Sequence, residues 1–188
     1  MLKRETRILG LSGTTICHKT IIASVVFRGS LWLDGFSTTM IEAKDRNIKL
    51  QVANLIKNSK QFSQLHAIII SQRLNLQRAI SIHYLARSVK LPVIAIKSQK
   101  RSRRGNHRVN KIIIWVSGKH VAATFAGTDR AHAEKLYKIS CSPNRELPEA
   151  VRVADLLTEE ISRKFKCNVK TPGLHQSMKT TNSPKNRV

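Results

Sequence analysis

Apolar and β-branched residues fill three short runs at the start of the chain, RILGLSGTTI, TIIASVVFRG and SLWLDGFSTTMI, and Arg28-Gly29-Ser30 separates the last two. Runs of this composition broken by turn residues predict three strands in an antiparallel meander. Beyond Asp45, which is placed to cap a helix, Ile48, Val52, Leu55 and Ile56 recur at the 3-to-4 spacing of one helical face that ends near Lys60. HAIIIS (66 to 71) is a nearly continuous apolar run, as for a strand covered on both faces. An amphipathic stretch with Ala79, Ile82, His83, Leu85, Ala86 and Val89 follows, and then PVIAI. Strand, helix and strand in that order predict a βαβ unit with a parallel pair.

Further along, KIIIWV and HVAATFAG flank Ser117-Gly118-Lys119, which reads as a hairpin. Thr128 and Asp129 open a helix carrying Ala133, Leu136 and Tyr137. The last helix is expected to start at Pro148, with Glu149 beside its positive end, and to bury Val153, Leu157 and Ile161. A three-strand meander followed by αβαβ is the order of ribonuclease H-like domains. Periodicity by itself supports a mixed α/β class with an extra hairpin. With 188 residues, 41% hydrophobic, the chain is expected to form one such domain over residues 1 to 165, with a basic extended tail over 166 to 188.

Charge changes this picture. Thirty-four Lys and Arg oppose eleven Asp and Glu, a net of +23. Such a chain repels itself unless a polyanion is near, and polyphosphate backbones attract it by counterion release without any reading of sequence. The excess is concentrated. Residues 97 to 111 hold Lys97, Lys100, Arg101, Arg103, Arg104, Arg108 and Lys111 and no acid. Residues 161 to 188 hold Arg163, Lys164, Lys166, Lys170, Lys179, Lys185 and Arg187, again with no acid. The first run lies between two predicted strands as a loop, and the second continues from the last helix as a tail with too few apolar residues to pack by itself. A solvated charged face is the ordinary fate of a charge run, but two acid-free runs favour contact with nucleic acid. Aromatics are 5% of the chain and are not interleaved with these runs. Recognition of backbone and shape in folded RNA therefore fits better than base stacking.

Other chemistries find little support. Cys17, Cys141 and Cys167 form no CxxC pair, and the seven histidines form no HxH or HxxxH cluster, so neither a disulfide framework nor a metal site is expected, and no cofactor is assigned. GLSGTT lacks the Lys of a phosphate-binding P-loop. No signal peptide, long apolar run or Lys/Arg-faced amphipathic helix points to a membrane.

Four segments carry a resemblance to a known family: Arg7-Ile8-Leu9-Gly10; Val25-Val26-Phe27-Arg28-Gly29 running into Trp32-Leu33-Asp34-Gly35; Leu91-Pro92-Val93-Ile94; and Asn144 through Leu157, NRELPEAVRVADLL. Over residues 5 to 162 the chain resembles the archaeal endonuclease dU family. The resemblance implies a ribonuclease H-like fold akin to endonuclease V, and cleavage of DNA at deaminated bases with Mg²⁺ held by carboxylates at strand ends. The family's first strand ends in two aspartates where this chain has Ser12 and Gly13, and Ser71 stands where the family's fourth strand supplies a further acid. Neither Ser nor Gly brings a negative charge, and Arg73 adds a positive one nearby. Asp34, in a WLDG turn, and Asp45, as an N-cap, read as structural.

The expectation is a non-catalytic RNA-binding protein in the cytoplasm, ribosome-associated, contacting rRNA and neighbouring ribosomal proteins through the loop and tail. Two alternatives stand beside it. One is a divergent Mg²⁺-dependent endonuclease on uracil- or inosine-containing DNA, with ligands moved to Asp34, Glu42 or Asp45; the other is a DNA-binding accessory or chromatin protein.

Overall fold

A computed structural model describes residues 5 to 74, 81 to 97 and 110 to 169, with side chains as far as 165. Twelve elements follow in order: β1 (Arg7–Ile16), β2 (Lys19–Arg28), β3 (Trp32–Glu42), α1 (Ile48–Lys57), a 3₁₀ turn (Phe62–Gln64), β4 (Leu65–Ile70), α2 (Ile82–Val89), β5 (Val93–Ile96), β6 (Asn110–Val116), β7 (Lys119–Ala126), α3 (Arg130–Ile139) and α4 (Glu149–Val169). The strands form one seven-stranded sheet in the order β3-β2-β1-β4-β5-β7-β6. β1, β2 and β3 pair antiparallel as the expected meander, and β1–β4 and β4–β5 pair parallel. β7 runs antiparallel to both β5 and β6.

Helices cover both faces. On one face Leu9, Leu11, Ile68 and Ile70 meet Val52 and Ile56 of α1 and Leu85 and Val89 of α2. On the other, Ile8, Ile69, Ile94, Ile112 and Ile114 meet Ala133, Leu136 and Tyr137 of α3 and Val151 of α4. β4 is buried on both sides, which is why its sequence is a continuous apolar run with no alternation. Asp129 caps α3 as expected, accepting from the His132 amide at 2.8 Å.

Four local expectations need correction. α1 is capped at Asn47 and ends at Lys57; Asp45 instead accepts from the Asn47 amide at 2.7 Å and from the Gln51 side chain. Pro148 lies just before α4 and offers its carbonyl to Val151 and Arg152, so the first helical residue is Glu149. α4 buries Ala150, Val151, Ala154 and Thr158, while Val153, Leu157 and Ile161 are half-buried at the flank. Small residues win the central stripe because α4 crosses β1 in direct contact: a Cβ on Gly10 would lie 2.3 Å from the Ala150 carbonyl carbon. Gly10 is the residue that lets the helix approach so closely.

The fourth correction concerns Asp34, which sits in β3 and not in a turn. Its carboxylate takes Arg7 Nε at 2.5 Å on Oδ2 and Arg28 Nη2 at 2.7 Å on Oδ1, tying β1, β2 and β3 together. Arg28 first, and then Arg7, hold the Asp34 carboxyl below its ordinary range against the opposing effect of burial. A depressed carboxyl contributes stability that is present above the ordinary carboxyl pKa and lost as pH falls through the lowered one. Asp34→Asn is therefore expected to melt a few degrees lower near neutral pH. The gap should close in strong acid, and thermal melts across pH that kept a constant gap would contradict the linkage.

Candidate nucleic-acid interface

The C-terminal ends of the parallel strands β1 and β4 lie side by side, since Leu11 is paired with Ile70 and the Ser71 amide donates to the Leu11 carbonyl at 2.8 Å. Alternation along β1 turns Ile8, Gly10 and Ser12 towards α4, and Leu9, Leu11 and Gly13 towards α1 and α2. Ser12 and Ser71 are thus brought to one edge of the sheet.

What they do there is now specific. Ser12, fully buried, donates from Oγ to Asp155 Oδ1 at 2.5 Å and lies 3.3 Å from Thr158 Oγ1. Thr158 in turn bonds back to the Ala154 and Asp155 carbonyls at 3.1 and 3.0 Å. Ser71 Oγ accepts from the Arg73 amide at 3.1 Å, and the Arg73 guanidinium pairs with Glu159 at 2.8 Å on the surface. At Gly13 a Cβ would fall 2.3 Å from Leu74 Cδ1 and 2.9 Å from the Ile21 carbonyl oxygen. The space a side chain would need is filled by a buried leucine.

This edge carries one half-buried carboxylate, Asp155, committed to a serine hydroxyl, and one exposed carboxylate, Glu159, committed to an arginine. Mg²⁺ requires several unencumbered oxygen ligands with net negative charge in octahedral array. Hydroxyls and a nearby guanidinium do not meet that requirement. Among the described residues no group of three or more His, Cys, Asp or Glu comes together as metal ligands. Asp34, held by two arginines, and Asp45, held in the turn before α1, have local partners of their own.

Asp155, Thr158 and Glu159 were missed as site residues by the sequence reading, although Asp155 lies within the NRELPEAVRVADLL segment. A signal was present. Asp155 stands four residues after Val151 and three before Thr158, on the stripe that meets the sheet, where an acid costs free energy unless it finds a partner. Of the basic residues, Lys97 is half-buried at the end of β5, where its amide donates to the Ala122 carbonyl at 2.8 Å. Lys111 is exposed on β6, and Arg163 and Lys164 are exposed on α4, with Arg163 paired to Glu160 at 3.1 Å. Lys100, Arg101, Arg103, Arg104 and Arg108 lie outside the described residues, as do Lys170, Lys179, Lys185 and Arg187 and the side chain of Lys166.

The mixed sheet, the helices on both faces and the strand-end edge under α4 define a ribonuclease H-like, endonuclease V-like fold. Endonuclease V from Bacillus subtilis superposes with a TM-score of 0.57 at 11% identity, over 87% of this chain and 82% of that one. A structure from Archaeoglobus fulgidus, described as a protein of unknown function, superposes with a TM-score of 0.66 at 22% identity, over 83% of this chain and 98% of its own. In sequence the chain is similar to a UPF0215 protein of Methanosarcina mazei, 27% identical over 183 residues that cover 86% of this chain and 93% of the relative. No protein-family model matches the chain. None of the helices described is long and apolar enough to cross a membrane.

Proposed function

We propose that this protein binds nucleic acid through its basic segments and the adjoining strand-end edge, and does not cut it by a Mg²⁺-dependent route. The observation that carries the reading is the Ser12–Asp155–Thr158 cluster, in which the half-buried Asp155 carboxylate is held by the buried Ser12 hydroxyl. With Leu74 closing the space at Gly13, the edge is built to hold its own side chains together. The charge of +23 supplies the affinity for a polyanion, and the fold shared with a protein named endonuclease V supports nucleic acid as the polyanion.

The finer reading, a protein of the ribosome contacting rRNA, rests on the two acid-free basic runs alone. An endonuclease acting on deaminated DNA draws more support from the comparisons, because the fold is that of endonuclease V and Asp155 and Glu159 stand at the same edge as Ser12 and Ser71. One experiment separates them. The full-length protein is incubated with duplexes containing deoxyuridine or deoxyinosine and millimolar Mg²⁺, and is sedimented in parallel with ribosomal particles of its own cells across a salt series. The proposal expects retention of both duplexes at low salt without nicking. Nicking that disappears in Asp155→Ala would establish the endonuclease instead, and cosedimentation with one subunit at moderate salt would favour the ribosomal reading.

A further inference from the structure

β6 carries a second surface, remote from the Ser12 cluster in sequence. Lys111, Ile113 and Trp115 alternate along one face of the strand, and the register sets them opposite Thr124, Ala122 and His120 of β7. Ile112, Ile114 and Val116 point the other way and are buried in the core against α3. The open face is apolar and aromatic: Ile113 is 62% exposed and Trp115 54%. α2 packs over β5 and β7 on this side of the sheet. The Trp115 and His120 rings meet edge to face, 4.3 Å between centroids at an interplanar angle of 71°. That contact fixes the orientation of the indole and leaves over half of its surface open.

Charge surrounds this ring. Lys97 leaves β5 next to Ala122, and by the alternation of β5 it belongs to the same face as Val93 and Ala95 and hence as Ala122 and Ile113. Lys111 lies four residues from Trp115, about 13 Å along a strand, close enough to meet a phosphate beside a base stacked on the indole. A hollow of about 520 Å³ at the adjoining ends of β5 and β7 has Lys97, Lys119, His120 and Ala122 among its walls, with Gln72 and Glu146. The acid-free run 97 to 111 starts and ends at Lys97 and Lys111. The sequence separates its aromatics from its basic runs, and strand register puts Trp115 and both ends of the loop on one sheet face.

Resting on the nucleic-acid reading above, we propose that Trp115 is a stacking platform for an unpaired base of single-stranded nucleic acid, with Lys97 and Lys111 on the flanking phosphates. An aromatic ring held upright on an open sheet face accepts any base, because every base has a π face. Paired bases in a duplex are stacked on each other and do not reach the ring. The surface therefore favours single strands over duplexes, whatever their sequence.

The chain has two tryptophans, so Trp32→Phe leaves Trp115 as the only indole. In that background, a dye-labelled oligodeoxythymidylate and a duplex of equal length are titrated at low salt, following dye anisotropy and indole emission together. Emission is expected to be quenched in step with binding of the single strand. Trp115→Ala should weaken single-strand binding roughly tenfold with little change for the duplex, and Trp115→Phe should keep most of it. Because Trp115 is exposed, both variants should melt close to the parent, which thermal unfolding checks. Binding with unchanged emission and an unaffected Trp115→Ala variant would overturn the platform while leaving nucleic-acid binding intact. Absence of binding to either probe would overturn both readings.

Discussion

Replacing Arg101, Arg103, Arg104 and Arg108 with glutamine is expected to weaken binding of a single-stranded probe at 50 mM salt on the order of 10³-fold and to lower its salt slope by roughly 3. The magnitude follows from counterion release: four phosphate contacts at about 0.7 ions each contribute a slope near 3, and that slope acts over the span from 50 mM to 1 M salt. Anisotropy titrations across a salt series give both quantities in one experiment. Parallel salt slopes for the parent and the fourfold variant would show that these arginines do not reach phosphate. Arg163→Gln gives the comparison for a single basic residue of the second run. Its guanidinium is already paired with Glu160, so its removal should alter the slope by less than one contact's share. The fourfold variant should also melt no lower than the parent, because a chain of charge +23 gains from losing like charges.

Strands and helices were legible wherever the pattern was local. The alternation in β6 and β7 around Ser117-Gly118, the continuous run of β4 and the cap at Asp129 all appear in the structure as the residues dictate. Asp34 was misread as a turn residue because its partners, Arg7 and Arg28, lie on two other strands, and only strand pairing brings them to its carboxylate. The stripe of α4 was misread for a related reason. Leu157 and Ile161 are the larger apolar residues, but α4 meets β1 most closely where Ala150 approaches Gly10, and Ala150, Val151 and Ala154 are the residues buried there. The positions Ser12 and Ser71 were named from the resemblance, whereas Asp155 needed the structure, since nothing in the spacing says which strand end a helix will cover. Trp115 became a candidate only when register joined it to the basic loop.

Ser12→Asp is expected to be among the most damaging single substitutions in the molecule, costing about 3–5 kcal/mol near neutral pH. Ser12 is fully buried and its Oγ lies 2.5 Å from Asp155 Oδ1, so the new carboxylate would face another at contact distance. Two carboxylates that close cannot both ionise, and one pKa rises. A carboxyl whose folded pKa is raised destabilises the protein as pH climbs above the ordinary carboxyl range, and the penalty is removed below it. The deficit relative to the parent should therefore be largest at pH 7 and shrink towards pH 4 in urea melts. The same variant bears on function, because it places an acid at the position where the resemblance leads one to expect a metal ligand. If millimolar Mg²⁺ restored its stability and brought cleavage of deaminated duplexes, the edge would be one substitution from a working nuclease. If Mg²⁺ left stability and duplex unchanged, the binding reading would stand, with Leu74 at Gly13 and Arg73 beside Ser71 the next positions to vary.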